Sequence, residues 1–184
     1  MITRMNTKQL LAASFIELAQ SRPIEKISVA DIALNCGMGR QTFYYHFATK
    51  NDLTRWIFSE RTTAILDEWI AKEPWGKSLG RVLSMIASEK LFYSKAMKKR
   101  DSDVFFSYFY DYCVQYYLKQ LKELHGIDPV DEELMFQIQF NCHGCTNMTR
   151  EWLEHSSDES PEAIGVKLYE ALPYRLKSYF SFGQ

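Results

Sequence analysis

The chain has 184 residues, of which 24% are charged and 46% apolar, which excludes a disordered chain and leaves room for one domain or two small ones around a real core. Gly (8) and Pro (5) are scarce, and no Asn-Gly, Asp-Gly or Gly-Gly pair marks a hairpin, so long helices are favoured over sheet. The net charge of −1 hides an asymmetry: residues 1–55 carry seven Lys/Arg against four acids, while residues 56–184 carry 15 against 19, a hint of nucleic-acid binding in the first third.

Taken in chain order, the apolar spacing is mostly three and four, the helical period. Leu11, Phe15 and Leu18 make a first stripe. Ile27, Ile32 and Leu34 belong to a short second helix, opened by a capping box of Ser28 with Asp31. The stretch Cys36-Gly37-Met38-Gly39 ends it and permits a sharp redirection. A helix of about two turns follows from Arg40 to Phe47. Thr49 with Asp52 forms a second capping box, opening a long helix that should reach about Lys72. Helix, short helix, four-residue turn and short helix make a helix-turn-helix, with Arg40–His46 as recognition helix.

Further helices are expected over Leu79–Ser88, Leu91–Met97, Ser102–His125, Asp131–His155 and Ser160–Phe180. Pro173 should kink the last one or end it early. The fold class is therefore all-α: an amino-terminal helix-turn-helix domain of three helices over 1–55 and a carboxy-terminal helical bundle over 56–184.

The recognition helix is rich in groups that reach DNA. Phe43 and Phe47 share one face and should anchor it to the core. Arg40 and Gln41 can make bidentate contacts to guanine and adenine edges. Thr42 can bond phosphate or touch a thymine methyl, and Tyr44, Tyr45 and His46 carry polar tips suited to phosphate oxygens. Lys50, at the next helix start, is expected to share one phosphate with the free amides there. Ser28 completes the candidate DNA-binding set.

Residues 7–58 resemble the DNA-binding domain of the TetR/AcrR family of transcriptional regulators. The resemblance rests on Ile27-Ser28-Val29-Ala30-Asp31-Ile32-Ala33, then Gly37-Met38, then Thr42-Phe43-Tyr44-Tyr45-His46-Phe47, then Lys50-Asn51-Asp52-Leu53, in order and without a gap. Glu25-Lys26-Ile27-Ser28-Val29, Cys36-Gly37-Met38 and Arg55-Trp56-Ile57-Phe58 look most like the branch named for regulators of dihydroxyacetone kinase. The family often has Ser before the recognition helix, where this chain has Gly39, a weaker cap by about a few tenths of a kcal/mol. The resemblance implies a homodimer on a double-stranded, palindromic operator, with repression as the default and activation possible. Under that reading the last two long helices pair with their copies across a two-fold axis.

Val104–Tyr117 holds eight aromatics in fourteen residues, too many for one buried stripe. Some should line a pocket for a small apolar or aromatic effector, and Phe105, Phe109, Tyr112, Tyr116, Asn141 and Met148 are the candidates. Lys95, Lys98, Lys99 and Arg100 read best as a solvated turn. Cys142-His143-Gly144-Cys145 is a CxxC on a helix without the further ligands zinc needs, so it reads as small residues at a helix contact, with Gly144 allowing close approach and redox sensing as the alternative. No catalytic residue, metal ligand or cofactor motif stands out, and no enzyme is expected. The longest apolar run, Leu10–Ala13, cannot span a bilayer, and Met1–Thr7 lacks an apolar signal core, so a cytoplasmic protein without membrane contact is expected. Two other readings remain: a protein-interaction or activator module of the same family without an effector, and a redox enzyme using Cys142 and Cys145.

Overall fold

The structure is a computed structural model that describes residues 5–70, 72–98, 104–155 and 158–181. Among these residues the chain forms ten α-helices and one 3-10 turn, and no strand. The first three helices are α1 (Thr7–Ser21), α2 (Val29–Asn35) and α3 (Arg40–His46), with the 3-10 turn at Ile24–Lys26 between the first two. Each start has a chemical cause. Asn6 caps α1 through its side chain, which accepts from the Gln9 amide at 3.0 Å, and Gln9 returns the bond. Ser28 does the same for α2, with its amide donating to Asp31 at 2.8 Å. The turn before α3 closes on the Met38 amide, which donates to the Ala33 carbonyl at 2.8 Å, and Gly37 takes φ +71°, a region costly to any residue with a Cβ.

Leu11, Phe15, Ile27, Ile32, Phe43, Phe47, Leu53 and Ile57 close the core of this head. A buried hydroxyl ties α1 to α2: Ser14 Oγ donates to the Ile32 carbonyl at 2.7 Å and accepts from Asn35. Helix α4 (Lys50–Trp69) starts in the head and continues into the bundle, so residue 55, where the division is expected, lies inside one helix.

The bundle is built from α5 (Trp75–Ser88), α6 (Lys90–Ala96), α7 (Val104–His125), α8 (Glu132–Glu154), α9 (Pro161–Glu170) and α10 (Tyr174–Tyr179). Helix α5 begins four residues before the expected Leu79, because Gly76 and Gly80 lie inside it against α9 rather than breaking it. The expected long last helix divides at Pro173 into α9 and α10, as a missing amide requires. Helix α4 stops at Trp69, short of Lys72. Ser102, expected to open α7, lies outside the described residues, as do Lys99 and Arg100 of the basic cluster.

Phe58 joins head to bundle, its ring meeting Phe105, Phe109 and Tyr112 edge-on at 4.9–5.7 Å. Phe15 of α1 and Phe92 of α6 meet at 5.5 Å across the same seam. Lys95 is not solvated as expected: its ammonium donates to the Ala19 and Arg22 carbonyls at the end of α1. A cation there complements the negative helix end, which has no basic residue of its own. No helix among the described residues is long and apolar enough to cross a membrane.

Candidate nucleic-acid interface and bundle cavity

Helix α3 presents two chemically different faces. Phe43 is fully buried and Phe47, just beyond its end, nearly so. Arg40, Gln41, Tyr44 and Tyr45 face solvent, with Tyr44 57% and Tyr45 84% exposed, while Thr42 and His46 are half-buried. Leaving two tyrosines this open beside a packed core sacrifices apolar burial. Their rings are held in place nevertheless: Tyr44 stands edge-on to Phe43 at 5.7 Å and Tyr45 edge-on to His46 at 4.9 Å. Gly39 offers α3 no side-chain cap.

Ser28 is exposed, but its hydroxyl is engaged, donating to the Asp31 carboxylate at 2.7 Å. That bond and the Ser28 amide hold the Asp31 carboxyl below its ordinary pKa. Lys50 departs from expectation. Its ammonium donates to the carbonyls of Ile24 (2.7 Å), Ile27 (3.0 Å) and Glu25 (3.1 Å). All three of its protons are taken, so it locks the 3-10 turn to the start of α4 instead of standing free for a phosphate. Burial pushes its pKa down, and the nearby Glu25 carboxylate offsets this only in part. Sequence reasoning missed this role, because the three carbonyls lie 23–26 positions away. Lys8 was also missed: it sits 5.8 Å from the rings of both Phe47 and Trp56, a cation held on the outer side of the head.

In the bundle, a cavity of about 60 Å³ opens between α4, α5, α7 and α8. Phe109, Tyr112 and Tyr116 line it, as do Thr62, Trp75, Tyr117, Cys142 and Cys145. None of its described lining residues is charged. The hydroxyls expected to orient an effector are largely committed to the frame. Tyr112 shares a 2.8 Å hydrogen bond with Thr63, and Tyr116 donates to Asp67 at 3.2 Å. Tyr117 accepts from Trp75 Nε1 and from Asn141 Nδ2, both at 3.2 Å. Thr62 Oγ1 is the exception, buried on the cavity wall without a hydrogen-bond partner.

Three of the six effector candidates fall elsewhere. Phe105 is buried in the seam against Phe58, Tyr93 and Tyr108. Asn141 is buried behind the wall, bonding Tyr117. Met148 is 53% exposed, on the outer face of α8 with Phe136 (67%) and Phe140 (66%). Gly144 shares that face, and a Cβ there would meet nothing within 4 Å, so it makes no close approach within the chain. The thiols of the CxxC are poorly suited to redox chemistry: burial pushes Cys142 up strongly and Cys145 to about 11, so neither is a thiolate near neutral pH.

The comparisons with known proteins bear on both regions. Residues 10–55 match the model of bacterial regulatory proteins of the tetR family, and residues 73–173 match a transcriptional regulator C-terminal region of that family. The chain belongs to the TetR family. This is a family of transcriptional regulators that bind DNA, not of enzymes, and the helix-turn-helix lies within the matched amino-terminal region. Among curated relatives of this TetR-family chain is the HTH-type dhaKLM operon transcriptional activator DhaS of Lactococcus lactis subsp. lactis (strain IL1403), 30% identical over 89 residues. The match covers 48% of each protein, so the chain spans about half the length of that relative. The solved structure of a dihydroxyacetone kinase operon activator DhaS superposes with a TM-score of 0.69 at 23% identity, over 95% of this chain and 98% of that one, and shows the same fold.

Proposed function

We propose that the protein binds a palindromic operator as a homodimer and controls the transcription of genes near it. The carrying observation is helix α3, pinned by Phe43 and Phe47 and presenting Arg40, Gln41, Tyr44 and Tyr45 to solvent. Arg40 and Gln41 read base edges from the start of the helix, and the tyrosine hydroxyls set its register on phosphates. Residues 1–55 carry the DNA contacts, and residues 56–184 dimerise and hold any effector. Ser28 serves chiefly as the cap of α2, and Lys50 as a clamp beneath the interface. The site of action is the cytoplasm, where the operator is.

The open face of α8, with Phe136, Phe140 and Met148, supports dimerisation, since a row of bare large apolar side chains is uncommon on a monomer surface. The bundle cavity supports a small, uncharged, largely apolar effector that takes one hydrogen bond from Thr62. An effector favouring one spacing of the two recognition helices would change DNA occupancy by population shift.

Repression and activation place the same demands on this geometry. Activation is favoured by the similarity to DhaS, which is described as an operon activator. A gel shift with DNA upstream of the protein's own gene tests the core of the proposal, with a scrambled duplex as control. Retention of the upstream fragment alone is expected, and equal retention of both would defeat sequence-specific regulation. A reporter fused to that fragment then separates repression from activation.

A further inference from the structure

A second cavity, of about 250 Å³, lies at the seam between head and bundle. It is separate from the apolar cavity and opposite to it in chemistry. Lys50 and Asn51 of α4, Lys95 of α6 and Lys98 just beyond it line the cavity, with Glu25 the one carboxylate among the described lining residues. Two of the three lysines are fixed by carbonyls, not by acids. Lys50 is held by Ile24, Glu25 and Ile27, and Lys95 by Ala19 and Arg22. No described carboxylate lies within ion-pair distance of Lys50, Lys95 or Lys98.

Carbonyl dipoles orient an ammonium without cancelling its charge. The result is a concave surface where three cations converge, two of them with their rotamer freedom already removed. Such a surface attracts an anion, because the Glu25 carboxylate offsets only part of the repulsion among the three described cations. The three lysines do not act alike. Lys50 has spent its protons and contributes field only, whereas Lys95 has one proton left and Lys98 three. The amide of Asn51 adds a neutral donor. A dianionic phosphate, with three oxygens to accept, fits this set better than a single carboxylate.

We propose that this seam cavity binds a small phosphate-bearing anion, held directly by Lys98, Lys95 and Asn51 and electrostatically by Lys50. The cavity is bounded by the end of α6, the start of α4 and the turn after α1, so an occupant touches both head and bundle. Binding therefore stiffens the joint on which the placement of the recognition helix depends. It is a regulatory input separate from the apolar cavity and independent of any effector there.

The test is thermal unfolding of the full chain with inorganic phosphate titrated against sodium chloride at constant ionic strength. A saturable rise of about 3–5 °C at tenfold over the half-saturating concentration is expected. Lys98→Gln, an exposed change that leaves the carbonyl clamps intact, should abolish the saturable part, while Lys77→Gln on the exposed side of α5 should preserve it. Equal melting in phosphate and chloride overturns the proposal, and so does an undiminished response in Lys98→Gln. The other source of phosphate is the DNA backbone. If Lys98→Gln lowers the salt slope of binding to random duplex by about one unit while the free anion has no effect, the cavity is a DNA contact and the proposal fails.

Discussion

A methyl group placed on Gly165 of α9 would stand 2.7 Å from the Cα of Gly80 in α5, closer than any real contact allows. The two helices cross backbone to backbone, with Gly76 and Gly80 on one side and Gly165 on the other. Glycine costs a helix interior about 1 kcal/mol, so three of them at one crossing mark a packing requirement. Gly165→Ala should destabilise the bundle by about 1–3 kcal/mol through overpacking, despite the gain in helix propensity. Gly80→Ala meets the Glu162 backbone at 3.0 Å and should cost less. Urea unfolding of both variants checks the order, and a neutral Gly165→Ala would show that the crossing can open.

Arg40 and Lys50 should fail for different reasons. Arg40 is exposed at the start of the recognition helix, so Arg40→Ala should cost about 1–3 kcal/mol on the operator and much less on random duplex. Lys50 is a clamp, and Lys50→Met removes three hydrogen bonds to backbone carbonyls. It should lower unfolding stability by about 1–2 kcal/mol and weaken binding to every duplex alike. Melting curves and binding isotherms on operator and scrambled DNA separate the two. An unchanged melting curve for Lys50→Met, with a salt slope lower by about one unit, would restore it as a phosphate anchor.

Dimerisation through α8 gives a sharper test, since Phe140 is exposed and its replacement leaves the core of the subunit untouched. Phe140→Glu should yield a monomer by sedimentation with an intact melting transition, and its operator affinity should collapse because one recognition helix covers only half a site. A dimer that survives this change, and Phe136→Glu as well, places the two-fold axis on another face.

The head was legible because its signals are local. Ser28 with Asp31, Thr49 with Asp52, and the glycines around Met38 act across three or four positions, and each appears in the structure as the cap or turn expected. What escaped the sequence acts at a distance. Helix α5 was expected to begin only at Leu79, because the partner that packs against Gly76 and Gly80, Gly165, lies 89 and 85 positions on. Met148 was misassigned through a small error of phase. A spacing that runs from Leu134 to Met148 in four turns assumes about 3.5 residues per turn, whereas the buried residues step from Leu134 to Ile138, Cys142, Thr146, Thr149 and Leu153, 19 positions in five turns or about 3.8 per turn, with Asn141 at the edge of the same face. Over fourteen residues that difference carries Met148 from the inner face to the outer one. The aromatic density of α7 did signal a cavity, but Phe105 lies a turn too early to reach it.

Burial of the bundle thiols sets an alkaline limit on stability. Cys145 is pushed up to about 11 by desolvation, only partly offset by its bond to Asn141, against an ordinary value of 9.0. Cys113 and Cys142 are raised further by burial. In the folded protein these groups therefore keep their protons at a pH where the unfolded chain has lost them. Between pH 9 and about 11 the unfolded state binds fewer protons, so unfolding stability falls as pH rises, with nothing lost below pH 9. Melting temperature measured from pH 7 to 10.5 should be flat at first and then decline. Cys145→Ser should soften the decline, since serine does not titrate in this range. Alkylation at pH 8 should likewise be slow in the native protein and fast in urea for both Cys142 and Cys145. Rapid native labelling of either, or a melting temperature that rises above pH 9, would mean that a thiolate is stabilised in the bundle and that the CxxC has redox capacity after all.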